Sequence, residues 1–482
     1  MGRESGMKEL LKEIKSSKVE TVRFSFADQH GILRSKSIAA AEVPAALKSG
    51  VGFPSSLLAK DTSNKTVFPV FTPGAGLGMP EFEGAADAVM VADPASFRVL
   101  PWAHKTGWLL CDLRFPNGKP VPFDTRAILK DALSKLARAG YGFVAGLEVE
   151  FHIFRIADPR LRPEDAGQPG SPPAVELLNT GYQLLSEARF DQLEPALEIL
   201  RASLTGLRLP LRSFECEFGP SQAEITLSAQ GGLAAADTML LFRSAAKQAL
   251  RRHGYHVTFM CRPKLPNVMS SGWHLHQSLV LDGRNAFIPK GKGEYLSKTG
   301  QHYLAGLLEH ARASCAFATP TINGYKRYRP YSLAPERVVW GRDSRGAMLR
   351  VLGGPGDPAT RIENRIGEPG ANPYLYFASQ IFCGLDGLQR KLNPGEPEQT
   401  PYDSKAEPLP RSLDEAIGCL KASKPMREAM GSAFVDYYCR IKEAEIERYQ
   451  AGSKAAGELG GKDAGDDREV SEWEHREYFD LL

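Results

Sequence analysis

The sequence predicts an α+β fold, divided into a small N-terminal domain over residues 1–115 and a larger domain over 116–482. Three observations carry this reading. The chain has 482 residues, and at roughly 150 residues per domain that length fits about three domains, or one small domain beside one large one. Hydrophobic residues make up 42% and charged residues 24%, the balance of an ordinary soluble globular protein long enough to fold without disulfide or metal staples. The first fifty residues read helix, strand, turn, strand, and the remainder mixes strand-like runs with amphipathic helices.

Taken in order, residues 7–17 place apolar side chains at helical spacing and 19–26 alternate as a strand does. Asp28-Gln29-His30-Gly31 is a turn, after which 32–38 resume the strand pattern. Residues 51–80 scatter Gly, Pro and Ser with little periodicity and read as a long loop. Short strands follow at 88–92 and 108–113. Gly118-Lys119-Pro120 then turns the chain toward a helix running to 138, with Asp124 as its N-cap. A strand over 143–154 precedes a segment, 158–174, whose Pro, Gly and charge mark an insertion. Helices are expected at 195–204 and 233–252, the second closed by Gly254. Strands are expected at 209–218, 223–227, 256–260 and 274–281, and a loop rich in Gly, Lys and Asp at 452–466 before a last helix. No internal repeat is found.

Several function classes fall on composition and motif. Lys plus Arg number 60 and Asp plus Glu 57, a net charge of +3, which argues against electrostatic attraction to nucleic acid or membrane as the main design. There is no basic patch with interleaved aromatics, no run of about 18 apolar residues and no signal-peptide pattern. The 7 cysteines are scattered without a CxxC pair, as expected of reduced thiols in a cytoplasmic protein. A phosphate-binding P-loop, a zinc-protease HExxH and a GxSxG elbow are all missing, and Gly74-Ala75-Gly76-Leu77-Gly78 lacks dinucleotide-binding spacing.

What stands out is acidic residues inside apolar strand runs. Glu148 and Glu150 have strand spacing, so they share one face about 7 Å apart. Gly219-Pro220-Ser221 can turn the chain so that Glu217 and Glu224 meet across a hairpin. His274 and His276 share another strand face, and Arg361, Glu363 and Arg365 alternate cation, anion, cation along a third. Any one of these alone reads as a solvated strand face or a buried salt bridge; four in one chain read as a site. Carboxylates in apolar strands need a compensating cation, and a carboxylate-rich set with one or two imidazoles suits Mg²⁺ or Mn²⁺. Arg327, Arg345, Arg350, Arg361 and Arg365 fall in one stretch, and guanidinium forks match phosphate and carboxylate oxygens. Metal ions beside such a cluster describe phosphoryl transfer.

At these residues the chain resembles the glutamine synthetase family, and the resemblance runs along nearly its whole length. It takes in the strand and turn ending at Asp28-Gln29-His30-Gly31, then Pro101-Trp102-Ala103, Gly146 to Phe151 and Glu217 to Glu224. It continues through Ser271-Gly272-Trp273-His274-Leu275-His276-Gln277-Ser278, Asn323 to Arg327, Arg361 to Arg365, Ala371-Asn372-Pro373-Tyr374, and Trp473, Glu474 and Tyr478. The resemblance implies a small β-grasp-like domain, a catalytic domain of curved antiparallel sheet with helices, and a homo-oligomer, usually a dodecamer of two hexameric rings with sites shared between neighbours. It implies two to three Mg²⁺ or Mn²⁺ ions per site, with Glu150, Glu217 and Glu224 on one and Glu148, His274 and Glu363 on another. It also implies ATP contacts at His276, Ser278 and Arg361 and phosphate contacts at Arg345 and Arg350. Glutamate would be held by Arg327 on its α-carboxylate and Arg365 on its γ-carboxylate, with Gly272 alongside; Arg345, Arg350 and Arg365 would serve catalysis. The implied reaction activates the γ-carboxylate of glutamate as an acyl phosphate, which an amine then attacks.

The chain departs from the family where ammonium would bind. Ordinary members use a Glu six residues after the substrate Arg and an Asp in the small domain; here the first position is Leu333 and the second falls in residues 52–56, at Pro54. An apolar amine pocket of Phe53, Pro54 and Leu333 favours an aromatic or alkyl amine, as in the γ-glutamyl-amide synthetases and foremost γ-glutamylanilide synthase. The alternatives are an ordinary glutamine synthetase using ammonia and a non-catalytic oligomeric member. Met269-Ser270 stand where the family usually has Asn-Gly, which alters the grip on the amino acid. Tyr402 falls near a tyrosine adenylylated in some bacterial members, and a plain surface tyrosine is the simpler reading.

Overall fold

The computed structural model describes residues 3–291, 293–455 and 469–482. Helix α1 (Arg3–Ser16) leads into β1 (Thr21–Ala27) and β2 (Leu33–Ala39), then α2 (Val43–Ser49), β3 (Val51–Pro54), β4 (Asp87–Ala92), β5 (Arg98–Val99) and β6 (Thr106–Arg114). These strands form one sheet in the order β2-β1-β6-β4-β3, with β5 also on β6. The central pair β1/β6 is parallel and the other pairs are antiparallel, the β-grasp-like arrangement. Strand β3 is a correction to the long loop expected at 51–80. Gly52 and Pro54 hide its pattern, but Val51 and Phe53 point inward, and the Phe53 ring lies 4.7 Å from that of Phe26.

The rest of the chain continues with α3 (Thr125–Arg138), β7 (Gly142–Ile156), β8 (Val175–Glu176), α4 (Glu187–Gly206), β9 (Leu211–Cys216), β10 (Gln222–Gly231) and α5 (Gly232–Arg251). Next come β11 (Tyr255–Thr258), β12 (Trp273–Leu281), β13 (Arg284–Asn285), α6 (Lys298–Glu309) and α7 (Ala311–Ala318). The last strands are β14 (Trp340–Arg342), β15 (Leu349–Leu352) and β16 (Arg361–Gly367), followed by α8 (Pro373–Arg390), α9 (Leu413–Ala422), α10 (Lys424–Met430), α11 (Ser432–Ala455) and α12 (Glu472–Tyr478). The second sheet runs β14-β15-β16-β12-β7-β10-β9, with β11 and β8 on β7 and β13 on β12. It is antiparallel except for β14/β15, which is parallel. As expected, Asp124 caps α3, accepting from the backbone N–H groups of Arg126 and Ala127. Helix α4 starts eight residues before the expected 195, and Pro195 lies inside it. The buried stripe of Leu193, Ala196, Leu197, Leu200 and Leu204 spans the proline, so burial outweighs the one lost hydrogen bond. Of the loop expected at 452–466, residues 452–455 close α11 and the others lie outside the described residues. Among the described residues no helix is long and apolar enough to cross a membrane.

Period-two alternation gives the large sheet two different faces. Phe143, Ala145, Leu147, Val149 and Phe151 of β7 are buried. Phe151 meets Phe242 of α5, Phe143 meets Phe377 of α8, and Trp273 of β12 meets Tyr376 of α8 edge-on. Asn364 of β16 faces the same helices and donates to Gln380 Oε1 at 2.7 Å. The residues between these, on β7, β12 and β16, therefore face away from the helices.

Two polar junctions tie the first sheet to the helical layer. At the Asp28 turn, Gly31 has φ +78°, and a Cβ there would lie 2.9 Å from Asn372 Cα. Asn372 caps α8 through Tyr374 N and also donates to Asp28 O at 3.0 Å. Buried Arg243 of α5 donates to Gly31 O, Pro369 O and Ala371 O. At the other junction, buried Arg126 bonds Asp93, Asp112 and Asp237. Removing one partner of such a cluster leaves unpaired charge behind, so Arg126→Met is expected to cost about 3 kcal/mol, measured as a shift of the urea unfolding midpoint at pH 7.

Candidate active site

The face turned away from the helices gathers the charged residues of five adjacent strands. Cross-strand register places His274 opposite Glu148, Glu224 opposite Glu150, His276 opposite Glu363, and Arg350 opposite Glu363. His274 Nδ1 donates to Glu148 Oε1 at 2.7 Å, and His276 Nε2 donates to Glu148 Oε2 at 3.0 Å. The other nitrogen of His276 accepts from Arg361 Nε at 3.0 Å. Each imidazole is thereby fixed in one tautomer by its neighbours. Ser278 lies two residues beyond His276 on the same face of β12.

Glu217 and Glu224 meet diagonally across the hairpin and not as a direct pair. Glu224 stands opposite Glu215 of β9, while Glu217 lies past the end of β9 and bonds the backbone of Gln222. The Glu217 carboxylate accepts from Phe218 N at 3.0 Å. Glu150 Oε2 accepts from Gly272 N at 3.0 Å and Gln222 Nε2 at 3.3 Å. Two donor sets have atoms within the reach of one ion: Glu148, Glu224 and His274, and Glu148, His276 and Glu363. These oxygen-rich sets with a single imidazole fit a hard divalent cation, although they divide the residues differently from the two ligand sets that the resemblance implies. Gln222, which also bonds Ser270 O and Ser271 Oγ, was missed by the sequence reading; its place between Glu217 and Glu224 was the available signal.

The arginines line the other side. Buried Glu363 bonds both Arg365 and Arg350, and Arg350 also bonds Asp343. Arg365 reaches the backbone oxygens of Arg345 at 3.1 Å and Leu333 at 3.3 Å, whereas the side chain of Arg345 is exposed. Arg327 is buried, donates to Arg365 O at 2.9 Å, and lies 3.4 Å from His274 Nε2. A Cβ at Gly272 would approach the Arg327 guanidinium to 2.6 Å, so glycine at 272 leaves the room that this arginine occupies.

Burial and mutual repulsion set the protonation of the cluster. Burial, reinforced by Glu148, Glu150 and Glu217, pushes the Glu224 carboxyl up to about 10. Burial and Glu217 push Glu150 up to about 7 against the pull of Arg327, and burial also raises Glu217. Burial opposes ionisation of Glu148 and Glu363 too. Hydrogen bonds from His274 and His276 nevertheless hold Glu148 well below the usual range, and Arg365 and His274 hold Glu363 low. Burial, then Arg365, pushes His274 down to about 4, so at pH 7 it is a neutral donor to Glu148.

Of the three residues expected in the amine pocket, Leu333 lies beside Arg365 through its backbone and its side chain is 59% exposed. Pro54 is exposed on the edge of β3. Phe53 is 3% exposed and packs on Phe26. Its ring therefore belongs to the core of the small sheet, because the alternation of β3 turns residue 53 inward. Tyr402 donates to Ala334 O at 3.2 Å and packs on Tyr331, bracing the loop that carries Leu333.

Comparison with known proteins bears on this arrangement. Residues 122–456 match the family profile described as glutamine synthetase, catalytic domain. The chain is 44% identical over 485 residues to the γ-glutamylanilide synthase of an Acinetobacter species, covering 98% of this chain and 95% of that protein. It is 31% identical over 455 residues to the glutamine synthetase of Methanosarcina mazei, covering 92% and 94%. Among solved structures, a chain described as a GmaS/ADP complex superposes with a TM-score of 0.76 at 26% identity, covering 97% of this chain and 98% of that one. With carboxylates, histidines and arginines on one face of an antiparallel sheet, and with similarity along the whole chain, the protein belongs to the glutamine synthetase family.

Proposed function

We propose that this ATP-dependent carbon–nitrogen ligase joins the γ-carboxylate of glutamate to an aromatic or alkyl amine other than ammonia, giving a γ-glutamyl amide, with an arylamine the foremost acceptor. The observation that carries the choice of amine is Leu333. Its carbonyl accepts from Arg365, so a leucine stands in the chain beside the arginine assigned to the γ-carboxylate, at the position of the ammonium-binding Glu of ordinary members. A leucine there neither attracts a cation nor accepts a proton. Arylamines are weak bases, neutral at pH 7, and require neither service. The 44% identity to a γ-glutamylanilide synthase supports the same reading.

In this reading Arg327 clamps the α-carboxylate of glutamate and Arg365 orients its γ-carboxylate, with Gly272 leaving room for the Arg327 guanidinium. Arg361, His276 and Ser278 hold the nucleotide, while Arg345 and Arg350 neutralise charge developing on the transferring phosphoryl group. A γ-carboxylate oxygen forms a bond to the γ-phosphorus of ATP as the bond to ADP breaks. The amine lone pair then forms the C–N bond, the C–O bond to phosphate breaks, and the nitrogen proton passes to the departing phosphate. Glu148, Glu150, Glu217, Glu224, His274 and Glu363 would hold Mg²⁺ or Mn²⁺, which supplies positive charge to the phosphate oxygens. We further infer a domain division at 115/116, a cytoplasmic location, and a dodecamer of two hexameric rings in which Pro54 completes a neighbour's site.

Three measurements test these assignments. Phosphate release with glutamate, ATP and Mg²⁺ is expected to be fastest with aniline in a panel that adds ammonia, alkylamines, ethanolamine and putrescine; turnover with ammonia alone would overturn the proposal. In the same assay, Leu333→Glu should lower activity on aniline. Gly272→Ala, which pushes Arg327 aside, should raise the KM for glutamate by about 10- to 100-fold and leave that for ATP nearly unmoved. The third concerns pH. Glu150 and Glu224 have folded-state values raised to about 7 and about 10, so the stability that they contribute when protonated is lost as pH rises through those values. The ion-free protein should therefore melt at a lower temperature at pH 9 than at pH 7, and Mg²⁺ should raise the Tm more at pH 9.

A further inference from the structure

Beside the carboxylate cluster lies an exposed apolar surface. Tyr182 is 44% exposed, Phe218 43% and Met269 36%, and Leu184 and Leu185 are exposed next to them in sequence. The surface is built rather than loose. The rings of Tyr182 and Phe218 meet edge-on with centroids 5.3 Å apart. Tyr182 N donates to Phe218 O at 2.6 Å, and the Tyr182 hydroxyl donates to Asn267 O at 2.8 Å. Met269 lies against the Phe218-Gly219 turn, where a Cβ on Gly219 would come within 2.9 Å of Met269 Cβ. Tyr182 is held at φ +59°, a left-handed conformation that a bulky residue keeps only where its surroundings enforce it.

The position of this surface is as telling as its chemistry. Phe218 directly follows Glu217, and its N–H holds the Glu217 carboxylate. Met269 stands three residues before Gly272, whose N–H holds Glu150 and whose missing side chain makes room for Arg327. The apolar surface and the carboxylate cluster are thus carried by the same hairpin and loop. A phenylalanine face, a tyrosine edge and a thioether are groups that contact a flat ring favourably, and an apolar patch at the rim of a polar site marks a ligand surface.

We propose that Phe218, Met269 and Tyr182 form the seat for the aromatic ring of the amine acceptor and set the preference of the enzyme for arylamines. The proposal rests on the γ-glutamyl amide reading of the adjoining site. The ring lies on Phe218 and Met269, and the amino group points across Glu217 toward the glutamyl carbon held by Arg365. Met269 is then the substitution that turns a polar rim into an aryl-binding one.

The probe is 4-bromoaniline, compared with methylamine on the full-length enzyme with glutamate, ATP and Mg²⁺. Phe218→Ala, which keeps the backbone N–H that holds Glu217, is expected to lower kcat/KM for 4-bromoaniline about tenfold or more while lowering that for methylamine about threefold at most. Equal losses on both amines, or no loss on 4-bromoaniline, would overturn the proposal. A crystal soaked with 4-bromoaniline, glutamate and a non-hydrolysable ATP analogue separates it from the parent reading. Bromine anomalous signal against Phe218 and Met269 supports the seat even where no amide is formed, in which case the amide reading alone fails. Signal elsewhere, or a second copy of the chain covering Phe218, overturns the seat whatever amine the enzyme turns over.

Discussion

The structure of the site depends on one carboxylate shared by two imidazoles. Glu148 accepts from His274 with one oxygen and from His276 with the other, and both donors come from the neighbouring strand β12. This pair of hydrogen bonds fixes the register of β7 against β12 on the face where no apolar packing would do so, and it sets the tautomer of both histidines. His274 then presents its second nitrogen to Arg327 and His276 presents its own to Arg361. Two arginines from distant parts of the chain are therefore located by reference to one glutamate. A slip of one residue in this pairing would turn every acidic side chain of β7 into the helical layer.

The opposite face makes this arrangement affordable. Phe143, Phe151 and Trp273 bury the sheet against α5 and α8, and each such side chain stabilises the fold by about 1.5–3 kcal/mol. Against that background the fold tolerates a group of carboxylates that repel one another. Ordinary stability would favour replacing Glu150 or Glu224 with a neutral residue, and their retention on adjacent strands is the mark of a site kept for binding.

Much of this was legible in the sequence because strand alternation is a strong signal. The spacing of Glu148 with Glu150, His274 with His276, and Arg361 with Glu363 and Arg365 placed each set on one face, and the structure brings those faces together. What was not legible followed from partners distant in sequence. Strand β3 carries Gly52 and Pro54, poor strand formers, and exists because Val51 and Phe53 fill the small core. The same burial holds the Phe53 ring against Phe26. The hairpin register that sets Glu224 against Glu215 rather than Glu217 is a choice between two alternatives that sequence spacing leaves equal. Tyr182 carried no local signal at all, since its neighbours Phe218 and Asn267 lie in other segments.

The latch at Gly31 and Asn372 has a consequence for mechanical tolerance. Strand β16 carries Glu363 and Arg365, and the chain runs from it almost at once into Pro369 and Ala371, whose oxygens Arg243 holds, and then into Asn372, which grips the Asp28 turn. The small sheet is thus indexed to the arginines through a span too short to accumulate error. The small sheet and the end of β16 therefore share one rigid reference, the Asp28 turn bonded to Arg243 and Asn372.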